Sequence, residues 1–201
     1  MPLFDTFFRD LDRAWGKAPS RGPITLRVIG SAALMLQTDY ERGTSDGDIL
    51  ETVDLTVPVK ARLLELAGRA SPLHRRHGIY LDVVAAGVPF LPQVPRWHPH
   101  ATLNGSLSAF EVEVLDVVDV VVSKLKRFHA NDQSDVEAMV DRALVAHGDL
   151  VARFRSAVEV FSGDARAEDL PRYVQRLHRV ERDLFGAPES LIELPGWIDD
   201  D

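Results

Sequence analysis

Three aspartates and a serine are the residues best placed to do chemistry. Asp46 and Asp48 stand two apart around Gly47. In a strand, side chains at i and i+2 share a face, so this spacing makes two carboxylates neighbours. Their repulsion costs free energy unless cations lie between them. Carboxylates presented from adjoining backbone suit Mg²⁺, which keeps water and substrate phosphates among its ligands. Read alone, Asp46-Gly47-Asp48 is an acidic turn bent at its glycine. Asp82 alters that reading because it interrupts the apolar run Tyr80-Leu81-Asp82-Val83-Val84. A buried carboxylate needs a partner, either an arginine or a metal ion. If its strand adjoins that of Asp46 and Asp48, three carboxylates converge as the donor set of two-metal phosphoryl transfer. Gly30-Ser31, a glycine at a strand end before a serine at a helix start, supplies an N-cap hydroxyl and amide donors suited to phosphate oxygens.

The elements that must position these residues are legible in the patterning. Leu3, Phe4, Phe7, Phe8, Leu11 and Trp15 recur at helical spacing over 3–16, ended by Pro19, Gly22 and Pro23. A β-rich run, Ile24 to Ile29, stops at Gly30, and good helix formers continue from Ala32 to Gln37. This is a strand, a tight turn and a helix. A second strand is expected from Ile49 to Val57 with the aspartate pair at its mouth, then a helix over 59–70. The apolar run around Asp82 reads as a third strand, central and buried. Residues 86–105, with four prolines, read as a long loop or lid, and Ala109 to Leu115 alternate as a strand. Helices are expected at about 116–128, 132–146, 149–161 and 167–184, before a loose tail ending Asp199-Asp200-Asp201. The organisation predicted is an α/β core over 1–115 and a helical region over 116–201.

At this point the residues resemble a family. Gly30-Ser31, then Asp46-Gly47-Asp48-Ile49, then Leu81-Asp82-Val83 is similar to the pattern of the DNA polymerase beta-like nucleotidyltransferase superfamily. Arg42-Gly43-Thr44-Ser45-Asp46-Gly47-Asp48 resembles the Arg-x-Thr-x-Asp-x-Asp of its small bacterial members, including the AbiEii-like proteins of toxin–antitoxin and phage-defence systems. Lys124, followed by Asp132 and Asp135, resembles those proteins' downstream lysine and Asp-x-x-Asp. Gly47 departs from the pattern, where an apolar residue is usual, and so does Asn131, where a basic one is.

The resemblance implies an α+β fold, a mixed β-sheet flanked by helices and followed by a C-terminal helical bundle. It implies Asp46, Asp48 and Asp82 as ligands of Mg²⁺ or Mn²⁺, and Gly30, Ser31, Arg42 and Thr44 around a nucleoside triphosphate, with Lys124 among the catalytic residues. The activity implied is transfer of a nucleoside monophosphate to an acceptor hydroxyl on an RNA or tRNA end, a protein or a small molecule. The alternative is a nucleotide-binding module without turnover that partners a cognate antitoxin or toxin.

The remaining composition narrows the field. A net charge of −8 over 201 residues argues against broad attraction to nucleic acid, while leaving room for local basic clusters around Arg69, Arg75 and Arg76 and around Lys124, Lys126 and Arg127. The absence of cysteine removes thiolate chemistry and fits a reducing, cytoplasmic setting. No secretory signal is expected, since Met1-Pro2-Leu3-Phe4-Asp5 has no basic stretch before an apolar run, and no membrane span, because Asp116 and Asp119 interrupt the longest apolar stretches. Trp97-His98-Pro99-His100 offers two imidazoles but no completing ligand. It reads as part of a loop bordering the site, with Trp97 available to pack on a base. No Gly-x-Ser-x-Gly elbow is present, so a hydrolytic triad is set aside.

Overall fold

The computed structural model describes residues 3–17, 22–163 and 165–197. Pro19 and the terminal aspartates lie outside them. The chain forms two compact units. One comprises residues 1–88 and 97–116, the other 89–96 and 117–201.

The first unit is built on a five-stranded mixed sheet: β1 (Ile24–Ile29), β2 (Asp46–Leu50), β3 (Tyr80–Val84), β4 (Trp97–Pro99) and β5 (Phe110–Leu115), in the order β3-β2-β1-β5-β4. β1 runs antiparallel to β2 and parallel to β5, β2 parallel to β3, and β4 antiparallel to β5. Helix α1 (Leu3–Trp15) buries Phe4, Phe7, Phe8, Leu11 and Trp15, the stripe that its spacing predicts. Its buried Asp12 is satisfied by the amides of Ser108 and Ala109 and by the Ser108 hydroxyl, which ties the helix to the approach to β5. Helix α2 (Gly30–Gln37) follows β1 without a linker. Helix α3 (Val57–Ala67) is succeeded by a separate short helix, α4 (Pro72–His77), capped at its start by the Ser71 side chain.

Three expectations change here. The strand bearing Asp82 is an edge strand, not a central one, since β3 ends the strand order among the described residues; its apolar neighbours Ile79 and Leu81 are nonetheless buried, with α3 packed against that strand. The second strand ends at Leu50, so the aspartate pair lies within it rather than at its mouth. The proline-rich stretch is not one loop: Trp97–Pro99 pairs with β5, and a short helix α5 (Ala101–Asn104) follows.

The second unit contains α6 (Val117–Lys124), α7 (Ala130–Asp141), α8 (His147–Phe161) and α9 (Leu170–Val180), with a 3-10 turn at Ala165–Asp169 and a π-helical turn at Glu181–Phe185. The single helix expected over 167–184 is thus three pieces, divided where Pro171 opens α9 and where the hydrogen bonding loosens past Val180. Phe90 is fully buried among Phe154, Phe161 and Tyr173, with ring centroids 5.2, 5.1 and 5.2 Å away. That contact, with the Arg153 guanidinium donating to the Val94 carbonyl, explains why residues 89–96 belong to this unit. The tail is not loose through Leu191: Ser190 N–H donates to buried Glu181 at 3.0 Å, and Arg155 donates to the Leu191 carbonyl at 2.9 Å.

Candidate active site

The expected site residues of the first unit gather at one end of its sheet, where β1 finishes and β2 and β3 begin. Ile29 pairs with Asp48, and Asp48 in turn pairs with Asp82 across the parallel β2–β3 ladder. Directly paired residues on neighbouring strands share a face at a spacing of about 5 Å. Asp46 shares that face too, two residues before Asp48, and pairs with Tyr80. Alternation puts Gly47 on the opposite face. A side chain there would meet Leu81 Cδ2 at 2.9 Å and Phe4 Cε1 at 3.2 Å. The glycine therefore marks a close approach of α1 to the sheet, and Gly47 itself is buried between an exposed Asp46 and a half-buried Asp48.

Gly30 opens α2 with φ +65°, a left-handed conformation that favours glycine. A Cβ at this position would stand 3.3 Å from Asp48 Oδ2. The backbone at the helix start and the Asp48 carboxylate are thus packed together, where the helix dipole favours negative charge. Ser31 is not the N-cap: Ile29 holds that place with no side-chain bond, and Ser31 lies inside the first turn. Its Oγ accepts from Arg42 at 3.1 Å. The first-turn amides of a helix have no intrahelical acceptor, so the phosphate-binding potential expected of this turn persists with the serine one step further in.

Around this face each carboxylate has a neighbour. The Thr44 hydroxyl donates to Asp46 Oδ1 at 2.5 Å. Arg69 Nη2 lies 4.0 Å from Asp82 Oδ2 and donates to the Tyr80 hydroxyl. Asp82 is half exposed, which answers the problem of a buried carboxylate differently from expectation: water and an arginine, not burial, surround it. The Tyr80 hydroxyl is pushed above its ordinary value, first by burial; Arg69 opposes the shift and Asp46, Asp82 and Asp48 reinforce it. The Tyr80 hydroxyl thus lies within the field of all three carboxylates.

As the side chains stand, no group of three His, Asp or Glu among the described residues is arranged to hold a metal ion. Asp46 is turned to Thr44 and Asp82 to Arg69. The donor chemistry still fits a hard dication: oxygen ligands only, presented from neighbouring backbone positions, with Asp46 exposed and Asp82 half exposed. Asp46 and Asp48 would hold it, with Asp82 within reach by rotation of its side chain.

The other candidates have partners of their own. Lys124 belongs to the second unit, where its buried ammonium contacts Asp132 at 3.2 Å and Asp135 at 2.7 Å. Trp97 is in β4 at the far edge of the sheet from Asp82, beneath the Arg27 guanidinium at 4.9 Å, and so does not border the carboxylates. His98 contacts Asp116 at 2.9 Å, while His100 accepts from Leu103 N–H. Arg76 and His77 both reach Asp10 of α1, at 3.1 and 3.0 Å. Sequence patterning named Arg69 only within a basic cluster and did not single out Tyr80 as part of this site. The signal was available in Tyr80, two residues before Asp82 and hence on the same face.

The family model described as "Nucleotidyltransferase of unknown function (DUF6036)" matches residues 18–170. The chain belongs to that family. Nucleotidyl transfer is accordingly the general kind of activity of its relatives, and the mixed sheet flanked by helices is the fold expected for it. No curated protein and no solved structure matches the chain. No helix among the described residues is long and apolar enough to cross a membrane.

Proposed function

We propose that the chain is a metal-dependent nucleotidyltransferase that moves a nucleoside monophosphate from a triphosphate to an acceptor hydroxyl. The observation that carries this reading is the register: Asp48 opposite Asp82, Asp46 on the same face, and Asp48 packed against Gly30 at the start of α2. The acceptor oxygen bonds to the α-phosphorus as the bond to the bridging oxygen breaks. Pyrophosphate leaves and the hydroxyl proton passes to solvent. Bound Mg²⁺ or Mn²⁺ would neutralise the charge on the phosphates and lower the pKa of the attacking hydroxyl.

The chain's own residues position the reactants. The amides of the α2 first turn face the triphosphate, and Arg42 orients the Ser31 hydroxyl by donating to it. Thr44 holds Asp46 in place. Because Lys124 is buried against two aspartates, this reading leaves the phosphate charge to the metal, Arg42 and the helix amides rather than to Lys124. The acceptor belongs to the class of RNA or tRNA ends, proteins or small hydroxyl compounds, and the AbiEii-like resemblance favours a protein working beside a cognate partner.

The test is incubation with each α-labelled triphosphate, Mg²⁺ or Mn²⁺, and pools of RNA and protein, comparing the parent with Asp46→Ala/Asp48→Ala. Label in an acceptor that requires both aspartates supports transfer, and equal label in both proteins removes it. A second reading, nucleotide binding without turnover, draws on the engagement of Asp46 by Thr44 and of Asp82 by Arg69. It predicts saturable nucleotide binding with no labelled product in any pool.

A further inference from the structure

The site contains a cation of its own. Arg69 lies between α3 and α4, one residue past the Gly68 that caps α3. Its guanidinium lies over the Tyr80 ring at 4.4 Å, donates to the Tyr80 hydroxyl and stands 4.0 Å from Asp82 Oδ2. Tyr80 and Asp82 are the β3 partners of Asp46 and Asp48. Arg69 is therefore held by an aromatic platform inside the field of the same carboxylates that would receive a dication.

We propose that Arg69 is a positioning residue that occupies the third carboxylate while the site is free of metal, gives it up when a divalent ion and nucleotide enter, and thereby sets the metal affinity of the site. The inference rests on the reading of Asp46, Asp48 and Asp82 as metal ligands.

Exposure makes the contact displaceable. The Arg69 side chain is 72% exposed and that of Asp82 50%, and ion pairs in water contribute little. The contrast is Lys124, whose side chain is 5% exposed between two buried aspartates; exchange there would leave buried carboxylates unpaired. At Arg69 the guanidinium keeps its place over the Tyr80 ring while the half-exposed Asp82 turns from it toward a metal. A unit positive charge a few ångströms from a doubly charged ion opposes its binding even in a watery site, so removing it strengthens binding several-fold. An arginine that merely buttressed Asp82 for coordination would have the opposite sign, and one that only packed on Tyr80 would have none.

The experiment is a titration of the full chain with Mn²⁺ and no nucleotide, reading free ion by electron paramagnetic resonance. Parent, Arg69→Ala, Arg69→Gln, Arg69→Lys and Asp48→Asn are compared, with thermal midpoints recorded for each. Arg69→Ala is expected to bind Mn²⁺ about three- to tenfold tighter than the parent. Arg69→Gln, which keeps a polar chain beside Tyr80, gives the same direction should the alanine variant fold poorly. Arg69→Lys, which retains the charge, stays within about twofold of the parent, since the field and not the fork geometry is what opposes the ion. Unchanged or weaker binding in folded Arg69→Ala and Arg69→Gln overturns the proposal while leaving the metal site intact. Parent binding that is absent, or indifferent to Asp48→Asn, overturns the metal reading and this inference together.

Discussion

Gly47 and Gly30 flank the same carboxylate and are glycines for different reasons. At Gly47 the space of a side chain is taken by Leu81 and Phe4, both buried. Restoring the apolar residue usual in the resembling pattern, Gly47→Val, is expected to cost about 1 to 3 kcal/mol through overpacking. Urea denaturation measures it, and Phe4→Ala in the same chain should recover part of the loss, since contacting residues are non-additive. At Gly30 the constraint is conformational. Gly30→Ala places a Cβ in a left-handed backbone 3.3 Å from Asp48 Oδ2, with an expected cost of about 1 to 2 kcal/mol and weaker nucleotide binding by equilibrium dialysis. The type and spacing of the aspartates were readable without coordinates because strand alternation alone dictates which of them share a face. The occupant of the space beside Gly47 was not, since Phe4 reaches it from a helix more than forty positions away in the sequence.

At the scale of elements, two polar clusters of the second unit decide its stability. Lys124 joins α6 to α7 through Asp132 and Asp135. Lys124→Met leaves two buried carboxylates without their cation, and a loss of about 3 to 5 kcal/mol is expected in denaturant unfolding. A smaller effect, close to that of a surface lysine, would mean that the aspartates find other partners. The second cluster links Arg96 to Asp149 at the start of α8, at 2.8 Å. The hydrogen bond from Arg96 is the main reason the Asp149 carboxyl lies below its ordinary value of 3.8, burial opposing it. A carboxylate with a lowered folded value contributes stability that is complete above the ordinary value and lost as pH falls through the lowered one. Thermal midpoints of the parent and Arg96→Met should therefore differ at neutral pH and converge as pH falls through the lowered value of Asp149. The helices of this unit were legible from their apolar spacing, whereas the breaks in the last of them were not, because Pro171 is compatible with a first helical turn and gives no sign that the hydrogen bonding changes past Val180.

At the scale of the molecule, the chain crosses between its two units at 88–89, 96–97 and 116–117. Phe90 anchors the first excursion. Phe90→Ala is expected to cost about 3 to 5 kcal/mol by opening a cavity among Phe154, Phe161 and Tyr173. Denaturation monitored by far-UV circular dichroism should show it, and a change under about 1 kcal/mol would mean that the segment is dispensable to the second core. The sequence by itself determined the residue types of the site, their order along the chain and the kinds of element that carry them, because periodicity and glycine placement are local properties. Only the tertiary structure decided the rest. It placed the Asp82 strand at a sheet edge and in register with Asp48, lodged Trp97 at the opposite edge, drew residues 89–96 into the helical unit and set Arg69 against the third carboxylate. Each of these depends on which surfaces find one another in three dimensions, and burial of apolar area, which drives that choice, is blind to distance along the chain.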